Sequence, residues 1–211
     1  MLKIFIADDH PVFREGLKRI INKEVDLKVV DEVESGEEIF PKLDANEYDV
    51  LILDVGLPGR SGLDLLVDIR KIKPKLPVLI YTMHPEERFA LRAFKSGANA
   101  YLSKEESSEK LLEAIRTIST GRKYITPTIA EKLANSFDKN VDKAPHELLS
   151  NREFEVMRMI AIGKPVREIA EDLSLSVNTA NTYRMRILEK MNFSNNIDLA
   201  HYVIQNKLID S

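Results

Sequence analysis

The first 120 residues alternate short apolar runs with segments of helical periodicity. Five of the runs are predicted strands, at 2–7, 27–33, 50–53, 78–81 and 99–102. Amphipathic segments follow them; after Pro11, for example, Phe13, Leu17, Ile20 and Ile21 recur at helical spacing. Because strands that alternate with helices build parallel sheets, the pattern predicts an α/β fold with a five-stranded parallel sheet and helices on both faces.

Beyond residue 120 the pattern changes and no further strand is predicted. Residues 121–147 are predicted to be a helical linker, with a short helix at 126–137 that Thr126 caps and a polar tether after it. Four helices are predicted to follow, at 151–162, 165–172, 176–190 and 196–206. The sequence therefore predicts two domains, an α/β domain at 1–120 and a small all-α four-helix domain at 148–211.

Composition and charge restrict the class of protein. With 44% hydrophobic and 31% charged residues, the chain has an ordinary soluble globular composition. No apolar run approaches the ~20 residues that span a bilayer, the first residues do not resemble a secretory signal, and cysteine is absent. We therefore expect a cytoplasmic protein with no membrane partner. Residues 150–211 hold 8 basic and 8 acidic residues, so any DNA binding must use locally placed cations.

Polar residues stand where four of the predicted strands end. Asp8 and Asp9 follow the first strand, Asp54 the third, Thr82 the fourth and Lys104 the fifth. Because the carboxyl ends of parallel strands share one edge of a sheet, we expect these side chains to form one site. A carboxylate can accept a phosphoryl group as an acyl phosphate, which makes Asp54 the candidate nucleophile. An ammonium group and a hydroxyl could hold the phosphoryl oxygens.

The same edge is a candidate metal site. Mg²⁺ prefers one or two carboxylates together with water and phosphate oxygens. Its predicted ligands are Asp8, Asp9 and Asp54, with the carbonyl oxygen of Gly56 as a neutral ligand. A lone Asp at a strand end is more often a helix cap, but five such residues in order on four strands indicate function. The four histidines, His10, His84, His146 and His201, lack metal-binding spacing and are expected to be structural or surface residues.

Several motifs resemble the receiver domain of two-component response regulators of the NarL/FixJ subfamily. They are IFIADDHPVFREGL, VLILDVGLPGRSGLDLL, VLIYTMH and GANAYLSKE. The resemblance implies a flavodoxin-like receiver with Asp54 as phospho-acceptor, Thr82 as switch hydroxyl, Tyr101 as switch aromatic and Lys104 as phosphate-sensing lysine. It also implies a sensor histidine kinase as partner. Gly56 stands where many receivers have a larger side chain, so the resemblance does not predict the rate of autodephosphorylation.

Two of the C-terminal helices, 165–172 and 176–190, have the proportions of a helix-turn-helix. Ser176 is the expected cap of the second helix. Its inward residues are predicted to be Val177, Ala180 and Ile187. The segment from LLSNREFEVM to RILEKMNF resembles the LuxR-type DNA-binding domain, with VNTANTYRMRIL as its recognition helix.

Recognition helices read base edges in the major groove. Asn178 and Asn181 could read adenine, and Arg184 could contact guanine or phosphate. The other candidate DNA-binding residues are Thr182, Lys164, Arg167, Arg186 and Lys190. The last helix is predicted to expose an apolar stripe of Leu199, Tyr202 and Val203, which either packs on the domain or, by the resemblance, pairs two subunits on DNA half-sites.

The sequence thus predicts a DNA-binding response regulator that is phosphorylated on Asp54 and binds promoters as a homodimer. One alternative is a phosphorylation-independent regulator, or a protein-binding adaptor, with a vestigial pocket. For the C-terminal domain alone, a four-helix protein-interaction module is the alternative. A phosphohydrolase would normally have a second carboxylate two residues after its nucleophile, where this chain has Gly56. We therefore expect an input switch and no enzyme.

Overall fold

The computed structural model describes residues 1–136 and 144–209. The chain forms two compact units, 1–137 and 138–211. The described strands are β1 (Leu2–Ala7), β2 (Leu27–Val33), β3 (Val50–Leu53), β4 (Val78–Thr82) and β5 (Ala100–Ser103). The helices of the first unit are α1 (Pro11–Ile21), α2 (Gly36–Ala45), α3 (Gly62–Ile72), α4 (Glu86–Lys95), α5 (Ser108–Ser119) and α6 (Pro127–Ser136).

The first unit is built on a parallel sheet with strand order β2-β1-β3-β4-β5. Ile4 and Ile6 of β1 belong to the core that α1 and α5 cover on one face. Because side chains alternate along a strand, Phe5 faces the opposite side, where its ring stacks on Tyr48. The three inner strands are buried on both faces, apart from the first residues of β1, which explains their nearly continuous apolar sequences. The predicted fold class is confirmed.

The helical part of the predicted linker packs within the first unit. The hydroxyl of Thr126 accepts a hydrogen bond from the amide of Ile129 at 3.3 Å, so Thr126 caps α6 as predicted. Ile129 is completely buried, and α6 packs on α4. Residues 137–143, which include most of the predicted polar tether, lie outside the described residues.

The second unit begins with a 3₁₀ helix at Pro145–Leu148 and continues with α7 (Asn151–Ala161), α8 (Val166–Asp172), α9 (Val177–Met191) and α10 (Asn196–Gln205). Ser150 and Glu153 form a capping box at the start of α7. The hydroxyl of Ser176 accepts a hydrogen bond from the amide of Thr179 at 3.0 Å, which confirms the predicted cap of α9.

In the second unit one prediction was wrong and one open alternative is decided. Val177 is 46% exposed, whereas Ala180 and Ile187 are buried as predicted. The reason is that the whole first turn of α9, residues 176–179, projects from the unit. The predicted apolar stripe on α10 packs on α7, which is the first of the two alternatives given for it. Leu199 and Val203 are fully buried there.

Candidate functional site

Buried polar side chains meet at the carboxyl edge of the sheet. Asp8, Asp54, Thr82 and Lys104 follow or end β1, β3, β4 and β5, and each residue is at least nine-tenths buried. The ammonium nitrogen of Lys104 lies 2.7 Å from a carboxylate oxygen of Asp8 and 2.7 Å from one of Asp54. The sheet therefore places three of the predicted side chains in direct contact, although they are far apart in sequence.

The charge of Lys104 is fixed by its two carboxylate partners. Burial by itself lowers the pKa of a lysine, but attraction and hydrogen bonding to Asp54 and Asp8 outweigh burial and raise the pKa of Lys104 above its ordinary value. The ring of Phe13 adds a cation–π contact, with its centroid 4.6 Å from the ammonium nitrogen. Lys104 is therefore an ammonium ion at neutral pH, and its single positive charge is shared between two acids.

Four side chains at this edge could hold a metal ion. One ligand atom from each of Asp8, Asp9, His10 and Asp54 lies within 4.8 Å of the others. Oxygen ligands predominate in this set, which suits a hard cation such as Mg²⁺. Asp9 keeps 32% of its side chain exposed, so the acidic cluster is open to solvent on one side.

Sequence reasoning missed two residues of this cluster. His10 was expected to be structural or on the surface, but its Nδ1 lies 2.8 Å from a carboxylate oxygen of Asp9. Its backbone amide donates to Asp8 at 2.9 Å. The buried guanidinium of Arg14 donates to the carbonyl oxygen of Asp8 at 2.6 Å and so holds the strand end in place. The position of His10 directly after the acidic pair was the only sequence signal for either residue.

The loop after Asp54 orients its buried carboxylate. The amide of Gly56 donates to Asp54 at 3.2 Å, which orients one carboxylate oxygen. A Cβ atom at residue 56 would lie 3.9 Å from the other oxygen, an ordinary van der Waals distance, so a side chain could begin there without displacing Asp54. The predicted role of the Gly56 carbonyl as a metal ligand stays a prediction.

The two predicted switch residues are linked through His84. The hydroxyl of Tyr101, which is fully buried, donates to the carbonyl oxygen of His84 at 2.9 Å. The amide of His84 donates to the hydroxyl of Thr82 at 3.4 Å. The His84 ring stacks on Phe89 of α4 with the ring centroids 4.5 Å apart. The loop after β4 thus joins the buried hydroxyl of Thr82 to α4.

The predicted recognition helix, α9, presents a mixed surface. Asn178, Asn181 and Thr182 are exposed. The hydroxyl of Thr182 donates to the carbonyl oxygen of Asn178 at 2.9 Å. The half-buried Arg184 donates through Nε to the side-chain oxygen of Asn196 at 2.7 Å, which fixes its guanidinium beside the start of α10.

The basic residues predicted to contact DNA phosphates differ in whether they form ion pairs within the protein. Lys164 pairs with Asp172 and Arg167 with Glu171. Lys190 lies 2.7 Å from the buried carboxylate of Glu153. Burial raises the pKa of Glu153, but the hydrogen bonds from Lys190 and Ser150 outweigh burial and lower it overall. Arg186 is exposed and has no ion-pair partner among the described residues.

Two family models match the chain. Residues 4–116 match the response regulator receiver domain, and residues 147–203 match the LuxR family of bacterial regulatory proteins. The chain belongs to the DNA-binding response regulators. Similar response regulators include the oxygen regulatory protein NreC of Staphylococcus carnosus, 37% identical over 99% of this chain and 100% of its own length. GacA of Pseudomonas syringae is 35% identical over 100% of this chain and 99% of its own.

Solved structures of response regulators share the fold. A LuxR-family regulator from Aurantimonas has a TM-score of 0.59 and 34% identity, covering 64% of this chain and 97% of its own. RcsB of Salmonella typhimurium has a TM-score of 0.61 and 25% identity, covering 96% of this chain and 99% of its own. Among the described residues of this response regulator, no helix has the length and apolarity needed to cross a membrane.

Proposed function

We propose that this response regulator accepts a phosphoryl group on Asp54 from a sensor histidine kinase or a small phosphodonor. The observation that supports this proposal is the contact of Lys104 with Asp54 and Asp8 at the carboxyl edge of the sheet, 2.7 Å from each. A buried carboxylate at a strand end, a neutralising lysine and an adjacent acidic cluster are the groups that phosphoryl transfer to a carboxylate needs.

In the proposed reaction, a carboxylate oxygen of Asp54 forms a bond to phosphorus while the bond from phosphorus to the donor breaks. The donor leaves with the electron pair of that bond. Mg²⁺, held by Asp8, Asp9, Asp54 and the carbonyl of Gly56, would supply positive charge for the phosphoryl oxygens. Lys104 would exchange part of its contact with Asp54 for a phosphoryl oxygen.

The protein phosphorylated on Asp54 would act as a switch. The hydroxyl of Thr82 would donate to a phosphoryl oxygen and draw the 83–85 loop with it, since His84 is hydrogen-bonded to both Thr82 and Tyr101. The active state would bind promoter DNA as a homodimer on paired half-sites. Because Gly56 offers no second carboxylate for hydrolytic turnover, we propose a stoichiometric switch and not an enzyme. The cytoplasm is the compartment in which a kinase would reach it.

Uptake of phosphate from acetyl phosphate tests the role of Asp54. Wild type with Mg²⁺ is expected to gain about one phosphoryl group per chain by intact mass. Asp54→Asn is expected to gain none, because an amide oxygen is a poor nucleophile. Asp44→Asn, the same change at an exposed position of α2, is the matched control and is expected to behave like wild type. Equal uptake by wild type and Asp54→Asn would contradict the proposal.

The salt dependence of DNA binding tests whether Arg186 contacts the DNA backbone. Arg186→Ala is expected to weaken binding to a random-sequence duplex and to reduce the slope of log K against log salt by about 1, because one phosphate contact is lost. Lys28→Ala removes one exposed positive charge from β2 of the first unit and is the control. Fluorescence anisotropy at several salt concentrations measures both slopes. An unchanged slope for Arg186→Ala would remove Arg186 from the interface.

A further inference from the structure

Arg184 of α9 is held in place by a neutral group. Its Nε donates to the side-chain oxygen of Asn196 at 2.7 Å. No carboxylate lies within ion-pair distance of Arg184 among the residues that the structure describes, whereas Lys164, Arg167 and Lys190 each pair with an acid. Arg184 is therefore oriented by the protein while its positive charge is left uncompensated there.

Asn196 is a firm support for this contact. It is the first residue of α10, and the side-chain oxygen of Asn195 caps the same helix by accepting from the amides of Ile197 at 2.8 Å and Asp198 at 3.0 Å. Leu199 is fully buried where α10 packs on α7. The backbone of Asn196 is thus fixed on both sides, and its short side chain leaves the acceptor oxygen little room to move.

The hydrogen bond to Asn196 uses only one edge of the guanidinium. Further N–H groups are carried by the terminal nitrogens Nη1 and Nη2. Neither nitrogen has a hydrogen-bond partner among the described residues. Together they form the planar fork that matches two oxygens of a phosphate. Arg184 can therefore bind an anion end-on without giving up its contact with Asn196.

Helical geometry places Arg184 beside the exposed centre of α9. Because successive residues of an α-helix are turned by about 100°, four exposed residues fall within one strip of about the same width. This base-facing strip consists of Asn178, Asn181, Thr182 and Met185. Arg184 lies just outside one edge of the strip and Arg186 just outside the other. A helix in the major groove turns its middle to the base edges and its sides to the two phosphate backbones.

A side chain that is already oriented loses less conformational entropy when it binds. An unrestrained arginine has many rotamers and must give up most of them at a DNA phosphate. Arg184 has lost this freedom in the folded protein, through its contact with Asn196. Ordering one long side chain in advance corresponds to about threefold to tenfold in affinity.

We propose that Asn196 is a positioning residue for DNA binding, which holds Arg184 at the side of α9 so that Nη1 and Nη2 meet a phosphate of the DNA backbone. This inference rests on the proposed function, because it takes α9 as the helix that enters promoter DNA. Asn196 acts through Arg184 and contributes by orienting it. The contact fixes where α9 sits in the groove, since phosphate contacts set the register of a protein on the duplex.

The salt dependence of DNA binding tests this role in the full-length protein. The probe is a duplex enriched from a random library by the wild-type protein with Mg²⁺ and acetyl phosphate. Asn196→Ala is expected to weaken binding by about threefold to tenfold at every salt concentration. Its slope of log K against log salt is expected to match wild type, because Arg184 still reaches the phosphate. Arg184→Ala is expected to reduce that slope by about 1, because the phosphate contact itself is lost.

A double variant shows whether Asn196 acts through Arg184. In the Arg184→Ala background, Asn196→Ala is expected to cause no further loss of affinity. Asn206→Ala, the same change at the exposed other end of α10, is the matched control and is expected to bind like wild type. Wild-type affinity in Asn196→Ala would overturn the inference. An equal loss with and without Arg184 would also overturn it, because Asn196 would then act independently.

Asn196→Asp separates positioning from a role in stability. It keeps the shape of the side chain and adds a negative charge at the start of α10, where the helix dipole favours one, so it is expected to resist urea at least as well as wild type. Its carboxylate is expected to pair with Arg184 and to reduce the salt slope by about 1. Ile197→Asp puts the same charge on a neighbour that is 79% exposed and is expected to keep the wild-type slope. Equal slopes for the two Asp variants would contradict the inference.

The outcomes also separate this inference from the proposed function. If the wild-type protein enriches no duplex, with or without acetyl phosphate, the proposed promoter binding fails and this inference fails with it. If the wild-type protein binds but Arg184→Ala keeps the wild-type slope, Arg184 makes no phosphate contact. In that case promoter binding stands and only the role of Asn196 is overturned.

Discussion

Replacing Lys104 by Met is expected to lower the free energy of unfolding at pH 7 by about 3–5 kcal/mol, because two buried carboxylates lose the cation between them. The Lys104 side chain is fully buried, and the side chains of Asp8 and Asp54 are 3% and 5% exposed, so water cannot replace the lost charge. Chemical denaturation of the two proteins under the same conditions measures the difference. Under the proposed function, the same variant is expected to lose its response to phosphorylation, since the ammonium group proposed to contact the phosphoryl oxygens is absent.

The effect of Mg²⁺ on the stability of Lys104→Met distinguishes the loss of a compensating charge from a simple packing defect. In Lys104→Met, millimolar Mg²⁺ is expected to restore much of the lost stability, because the cation can neutralise the same carboxylates. Lys110→Met, which breaks the exposed ion pair with Glu106, is the control and is expected to unfold at the wild-type denaturant concentration. A variant as stable as wild type without Mg²⁺ would contradict our account of the site's electrostatics.

The pKa of Lys104 determines how the stability difference between wild type and Lys104→Met depends on pH. The folded protein raises this pKa above its ordinary value of 10.5. The stabilisation is therefore fully present below pH 10.5 and is lost only as the pH rises through the higher folded value. The stability difference between wild type and Lys104→Met should accordingly stay constant through the neutral range and shrink only in strong alkali.

Gly62→Ala is expected to destabilise the first unit by about 3 kcal/mol or more and to impair phosphorylation. A Cβ atom at residue 62 would lie 2.1 Å from the carbonyl oxygen of Asp54 and 2.8 Å from the Cα atom of Val55. Both are backbone atoms, so the loop that carries Asp54 must move. The amide of Gly62 also donates to the carbonyl oxygen of Val55 at 2.9 Å, and this hydrogen bond would be strained.

Gly16→Ala is the matched control for this prediction. Gly16 lies inside α1, and a Cβ atom there would meet no atom within 4 Å. Because alanine favours the helical backbone, the change is expected to stabilise the protein by about 0.5–1 kcal/mol. Thermal unfolding and phosphate uptake from acetyl phosphate are measured on both variants, and the two sets of results are compared. If Gly62→Ala were as stable as wild type, this result would contradict the close approach of α3 to Asp54.

The fold and the meeting of polar side chains at the carboxyl edge of the sheet were predictable because both depend on local patterns. Strands buried on both faces have nearly continuous apolar sequences, and a parallel sheet necessarily gathers their carboxyl ends. Asp8, Asp54, Thr82 and Lys104 therefore converge whatever the details of packing. Helix caps were predictable for the same reason, since Thr126 and Ser176 contact amides only three residues away.

Contacts between distant helices were not predictable in this way. A helical pattern shows that a face of α10 is apolar, but not whether α7 or a second subunit covers it. In the structure α7 covers Leu199 and Val203. In the same way, Lys190 is one cation among several in the sequence, and only the fold places it 2.7 Å from the buried carboxylate of Glu153.

The sequence by itself determined which elements form and which residues stand at the strand ends, because periodicity and strand order are local properties of the chain. Only the tertiary structure decided which partners these residues meet. It paired Lys104 with two acids, brought His10 to Asp9, and joined Thr126 to Glu86, 40 residues earlier in the chain. Such contacts depend on how the completed helices and strands pack. The sequence alone does not show which side chains, distant along the chain, will meet.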